Sequence, residues 1–343
     1  MLQRRAFAAL FVFCVAAAPI TADDPKPAPT PAPTPDKVEL VWKLEKDKTF
    51  YQKMTTSTKQ TMKVLNNDVI QTQNQTFYFS WTPLSHDGDN WVVSQKIIGV
   101  QMDIDLGGSG KITYDSTNTN APQNALGDFF KALVGSEFKL TLNAPKDKPI
   151  TVTKVEGRDD FLKKLTAANQ QMKPLLDQIL SEDSLKQMAA PTFAALPNTS
   201  KAKGDTWKAS SVLDMGPIGK YENTFTYTYD GKNSDATGEA EKKWDRIKVA
   251  TELKYSPPDE KTQAGGLPFR IKSADLTSKD ATGTVYYDAE KGRVVKTAMK
   301  LTLTGKLNIE IGGQATEVTL SQEQNTTVDT TDTDPLKKPT PDK

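Results

Sequence analysis

Along most of this chain apolar and polar residues alternate one by one, the period of a half-buried strand. From Phe50 the even positions include Phe50, Gln52, Met54, Gln60, Met62 and Val64, while the odd positions include Lys53, Lys59 and Lys63. Threonine and aromatic residues on such a pattern predict a long antiparallel strand with one wetter face. A turn at 66–68 leads to a return strand over 69–81, then to a turn over 83–90 and another strand over 91–106. Trp81 and Trp91 flank that second turn and are expected to face each other across it. A glycine-rich turn at 107–110 opens a short strand over 112–115.

The period then changes. Leu126, Phe129, Phe130 and Leu133 recur at helical spacing. A short hairpin over 138–142 and 150–155 interrupts the helical pattern. It resumes with Phe161, Leu165, Ala168 and Met172 and continues through Pro174 to Leu176 and Ile179. Pro174 is expected to kink or restart this helix, and Pro191 to end the helical region. Strands return over 207–213, 221–229, 247–255, 269–276, 285–287, 294–303, 307–311 and 316–328. The segments beginning at Gly110 (GKITYDS) and Gly283 (GTVYYDA) resemble each other, so the two β regions are also compatible with a diverged repeat.

The expected fold is α+β and β-dominated: a long curved antiparallel sheet or open half-barrel, as one sheet or two pseudo-repeated ones, with a central helical insertion. Residues 1–22 have the form of a cleavable export signal, with Arg4 and Arg5 ahead of an apolar stretch too short to span a bilayer. Residues 23–37 form a Pro-rich spacer. The folded part is expected over 38–328, divided into a first β region (38–120), the helical insertion with its hairpin (121–196) and a second β region (197–328). The polar stretch 329–343 is expected to be disordered. No second apolar span occurs in the sequence, so no transmembrane anchor is expected after signal cleavage.

Composition narrows the chemistry. Beyond the signal there is one histidine, His86, and no cysteine, since Cys14 lies inside the signal. Most nucleophile–base pairs and soft-metal sites draw on those two residues, so neither catalysis nor a metal or cofactor is expected. Forty-four Lys and Arg balance forty-three Asp and Glu without a basic stripe, which argues against nucleic acid as a partner. The loop 107–111 lacks the first glycine and the Ser/Thr of a phosphate loop. Asp103 and Asp105 lack the further acids of a calcium loop. A hydrolase built on two carboxylates remains a weaker reading.

The opening strand Leu40-Val41-Trp42-Lys43-Leu44, the run Phe193-Ala194-Ala195-Leu196-Pro197 leading into Gly204-Asp205-Thr206-Trp207, and the closing strands over 283–303 resemble an uncharacterised family of exported bacterial proteins. That resemblance implies no activity. In layout the chain is also similar to the lipoprotein-localisation-factor fold, an open half-barrel that holds an acyl chain against helices. The expected function is an exported protein of the periplasm, envelope or extracellular space that binds a lipid or other amphiphile between sheet and helices. Its ligand would be lined by Phe129, Phe130, Phe161, Leu165, Met172, Leu176 and Ile179. The alternative is a structural or protein-interaction module of the envelope, docking an envelope protein through strand edges or the Pro-rich arm.

Overall fold

The computed structural model describes residues 36–64, 67–118, 125–168, 170–259, 267 and 269–337. The expected export signal, and the Pro-rich spacer up to residue 35, lie outside the described residues. In chain order the strands are β1 (Lys37–Leu40), β2 (Phe50–Val64), β3 (Asn67–Asp87), β4 (Asn90–Asp105), β5 (Lys111–Asp115), β6 (Glu137–Asn143), β7 (Thr151–Glu156), β8 (Thr199–Ala202), β9 (Thr206–Asp214), β10 (Lys220–Lys232), β11 (Asp245–Ser256), β12 (Arg270–Asp288), β13 (Arg293–Ile311) and β14 (Gln314–Thr331). The helices are α1 (Ala125–Leu133), α2 (Arg158–Ala168), α3 (Lys173–Ile179), α4 (Glu182–Ala194) and the short α5 (Glu239–Lys242).

Twelve strands form one antiparallel sheet in the order β7-β6-β4-β3-β2-β14-β13-β12-β11-β10-β9, with β5 paired to β4 off this path. The fold is therefore the β-dominated α+β class, and the sheet is single rather than two repeated halves. The two similar segments occupy unlike places: GKITYDS supplies the short side strand β5, GTVYYDA the end of the central strand β12. The last strand, β14, is inserted between β2 and β13 and joins the early strands to the late ones.

The sheet is curled. A single apolar cluster runs strand by strand from Met62 of β2 and Leu320 of β14 to Tyr221 of β10 and Leu213 of β9, along the inner side of the sheet. The sheet does not close on itself. Helix α4 touches both outermost strands of the path, β7 and β9, and bridges the gap. Ser181 caps α4, accepting a hydrogen bond from Ser184 N at 3.1 Å, and Glu182 and Asp183 lie in the first turn. A second, two-stranded sheet of β1 and β8 lies over one end, held there by Tyr287, whose hydroxyl donates to Val41 O at 2.9 Å. Burial pushes the Tyr287 phenol up to about 12.

Several boundaries differ from the sequence expectation. β3 runs on through Pro83 to Asp87, because a register shift between Pro83 and Ser85 accommodates the missing donor. The hairpin turn therefore falls at Gly88 (φ 56°), and Trp81 faces Gln95 while Trp91 faces His86. β12 and β13 are each one strand rather than two, since bulges absorb the polar breaks in β12 and Gly305 lets β13 continue. α4 passes through Pro191 to Ala194 instead of stopping there. Lys37, assigned to the spacer, starts β1, and 329–331, assigned to the tail, complete β14.

Candidate functional site

The inward row of β2 begins with Phe50 and ends with Met62, which belong to two different apolar clusters. The larger cluster gathers Trp42, Phe50, Trp81 and Phe193 with Tyr229 and Tyr287 at one end of the interior. Phe193 of α4 sits between two tryptophans, its ring centroid 5.5 Å from Trp42 and 5.6 Å edge-on to Trp81. The smaller cluster fills the other end with Met62, Leu303, Leu307, Val318 and Leu320 among others.

Between them the interior turns polar without becoming charged. On β2 the buried residues separating the clusters are Gln52, Thr56 and Gln60. On β10 Asn223 separates Phe225 from Tyr221, and on β11 Thr251 separates Val249 from Leu253. On β14 the apolar pair Val318 and Leu320 gives way to Gln322. Among Gln60, Gln322, Asn223 and Thr251, only Gln60 and Gln322 face each other, and Asn223 lies four strands along the sheet from Gln322. Gln60 faces Gln322, Gln322 faces Leu303, and Leu303 faces Ser278 in successive strand pairs. The Ser278 hydroxyl accepts from Leu253 N at 3.3 Å, and Leu253 faces Asn223.

Part of this belt satisfies itself. Thr56 and Thr326 share a hydroxyl hydrogen bond at 3.2 Å, and Gln52 Nε2 donates to Thr330 Oγ1 at 3.4 Å. The rest does not. Gln60 Nε2, both polar atoms of the Gln322 amide, Asn223 Oδ1 and Thr251 Oγ1 are buried without a protein hydrogen-bond partner. Their residues are 4, 1, 2 and 7 % exposed in turn, which rules out bulk water as the partner. One such orphan costs about 1–3 kcal/mol, so the group weighs on the order of a domain's whole net stability, ~5–15 kcal/mol. Trp42 Nε1 and Trp81 Nε1, within the larger cluster, are likewise buried without a protein partner.

Of the seven residues expected to line a ligand, Phe130, Phe161, Leu165 and Leu176 are buried within the larger cluster. Phe161 meets Phe138 edge-on at 5.0 Å. Phe129, Met172 and Ile179 are half-buried against it, and Ile179 also packs on the smaller cluster. These seven thus form the inner face of the helical cover. The sequence reading missed the belt, although its signal was present: Gln60, Gln322 and Asn223 each stand two positions from an apolar residue that faces the same side.

Elsewhere, His86 stacks on Trp91 with ring centroids 4.3 Å apart. Among the described residues no three His, Cys, Asp or Glu side chains gather as metal ligands. None of the described helices is long and apolar enough to cross a membrane. At the rim, a groove of about 830 Å³ runs past Lys232, Trp244, Lys291, Lys296 and Asp329. Beside it Asp245 is fully buried, accepting from Tyr229 Oη at 2.7 Å and Lys232 Nζ at 2.8 Å. Burial, and secondarily the Asp245 carboxylate, push the Tyr229 phenol well above its ordinary range.

The chain belongs to a family of unknown function, DUF6263, whose pattern matches residues 88–333. No curated protein matches it. Among solved structures it is similar to lipovitellin, from a study of lipid–protein interactions, at 10% identity and a TM-score of 0.36 over 83% of this chain. The chain spans 25% of the length of that lipovitellin chain. An outer membrane channel of Pseudomonas putida F1 gives 8% identity and a TM-score of 0.23, covering 84% of this chain and 97% of the channel. DynF, from the dynemicin biosynthesis pathway of Micromonospora chersina, gives 9% and 0.19, covering 90% of this chain and 92% of its own. All three superpose loosely, and the architecture above rests on this chain's own strand pairing.

Proposed function

We propose that the protein is an exported, non-catalytic carrier that binds an apolar or amphiphilic ligand inside its curled sheet. The observation that carries this reading is the division of the buried side of one curved sheet into two apolar clusters, with buried polar residues such as Gln60 and Gln322 between them. A sheet that served only as a scaffold would be expected to fill with one contiguous core. Two apolar compartments separated by hydrogen-bonding groups suit a molecule that is apolar along most of its length and polar at one place. The helical cover, with Phe129, Met172 and Ile179 half-buried against the larger cluster, supplies further apolar surface for such a molecule.

Native mass spectrometry and lipid extraction of the mature protein, purified from envelope fractions, test this directly. A reproducible bound amphiphile is the expected result. Protein that is clean across several preparations, and that takes up no added amphiphile, overturns the carrier. The interaction module then leads, with the outermost strand β9 as its docking edge: Val212 there is 44% exposed, an unusual degree for a large apolar residue of this chain.

A further inference from the structure

We infer that the rim groove, on the side of the sheet away from the two apolar clusters, is a binding site for an uncharged saccharide. It lies apart from the interior on which the carrier reading rests, and either can stand without the other.

Strand register brings its residues together. Tyr286 of β12 faces Lys296 of β13, and Lys296 faces Asp329 of β14, so three neighbouring strands present these side chains in one row. Trp244, just ahead of β11, leans on Tyr286 with ring centroids 6.2 Å apart. At this point the pairing of β12 with β13 slips by one residue, since Tyr287 faces Val294 while Tyr286 faces Lys296. The extra residue is Val295, and such a bulge re-aims a side chain. Val294 joins the larger interior cluster, whereas Val295 is buried outside both clusters and lines the groove. The groove thus has an apolar floor at Val295 and an apolar wall at Trp244.

That wall is held in place from the end of β10. The backbone N–H of buried Asn233 donates to Trp244 O at 2.8 Å, and its Nδ2 donates to Glu241 O at 3.2 Å. Lys232 Nζ donates to Lys243 O at 3.1 Å. These bonds fix α5 and the residues after it, and so fix where the indole stands.

Charge then selects the ligand. Five lysines line the groove with four carboxylates, and Lys232, Lys242 and Lys291 are already paired with Asp245, Glu239 and Asp332. Acids and bases are too mixed here for a phosphate or an ammonium group to find a field of opposite sign. A saccharide needs none. Its ring offers a face of C–H bonds to an indole and an apolar floor, and hydroxyls that both donate and accept at its edge. Lys296 supplies donors, Asp329 acceptors and Thr331 either, all on the groove. Its volume of about 830 Å³ is toward the upper end for small-ligand sites.

The test titrates the mature protein by calorimetry with cellotetraose, maltotetraose and the β-1,4 tetramer of N-acetylglucosamine, and with polyglutamate and polylysine peptides as charged probes. At least one tetrasaccharide is expected to bind with a Kd below about 1 mM, at an affinity that added salt leaves unchanged. Trp244→Ala should weaken it about tenfold. Asp329→Asn, which keeps the shape of the groove, should weaken it about threefold and serves as the readout should Trp244→Ala fail to fold. Absence of binding by all three tetrasaccharides, or binding unmoved by a folded groove variant, overturns the site. Binding of a charged peptide in their place, lost in Trp244→Ala, makes the groove a protein-docking surface and overturns the saccharide.

Discussion

Single atoms decide whether the long strands of this protein are continuous. Gly305 lies mid-strand in β13 at φ 153°, and a methyl built on it would stand 1.9 Å from Asp275 O of the neighbouring strand. Gly312, in the turn before β14, has φ 57° but open space around it. Gly305→Ala must push β12 and β13 apart and is expected to destabilise by about 3 kcal/mol. Gly312→Ala pays only the left-handed backbone cost, about 1 kcal/mol. Urea unfolding of the two variants checks the order; equal midpoints would refute the close approach. From sequence alone Gly305 is indistinguishable from a turn glycine. The same local ambiguity hid the belt: Gln60 and Gln322 look like surface residues until the partner strand shows which side faces in.

At the scale of elements, periodicity revealed most of the strands and the helical insertion, and misplaced their ends. Alternation over β2, and over β10 as far as Tyr229, is unbroken, so those strands are legible in the sequence. Pro83 and Pro191 were read as stops because each removes a donor, yet a bulge absorbs the first, and burial of Phe193 between Trp42 and Trp81 keeps α4 helical past the second. The C-terminal end was obscured by its polarity. Beyond β14, Asp332 receives Lys291 Nζ at 2.5 Å and Arg293 Nη2, and Leu336 lies beside Gly99 of the sheet. The hydrogen bond from Lys291, reinforced by Arg293 against partial burial, holds the Asp332 carboxyl below its ordinary value. A depressed pKa contributes stability above the unfolded value and loses it as pH falls through the folded one. Because Asp332 is 56% exposed, solvent screening limits this tether to about 0.5 kcal/mol. Hydrogen exchange at Leu336 and Lys337 should therefore speed up below about pH 4 relative to the rest of the chain. Asp332→Asn should show the faster, protected-state opening already at neutral pH; an unchanged profile in that variant would remove the tether.

For the whole molecule the decisive feature is where the last strand goes. β14 pairs with β13 on one side and with β2 on the other, so residues 51–64 meet residues 318–331 across nearly the full length of the described chain. No local pattern encodes that pairing. It follows from the match of two inward rows, with Met62 opposite Leu320, Gln60 opposite Gln322 and Thr56 opposite Thr326, and from the burial that alignment permits. Contacts of such long range carry a large loop-closure cost, so the early and late strands fold into a single curled sheet only when β14 arrives. Without residues 314–331, β2 and β13 become two long unpaired edges, and both the smaller apolar cluster and the belt lose a wall. A chain ending at Gly313 is accordingly expected to aggregate, and a synthetic peptide of residues 314–331 to rescue it by strand addition. Size-exclusion chromatography with and without the peptide decides the matter. A truncated chain that stays monomeric and melts like the full one would mean that the two halves of the sheet stand on their own, and that the belt, which needs Gln322 beside Gln60, is not where the molecule's interior is made.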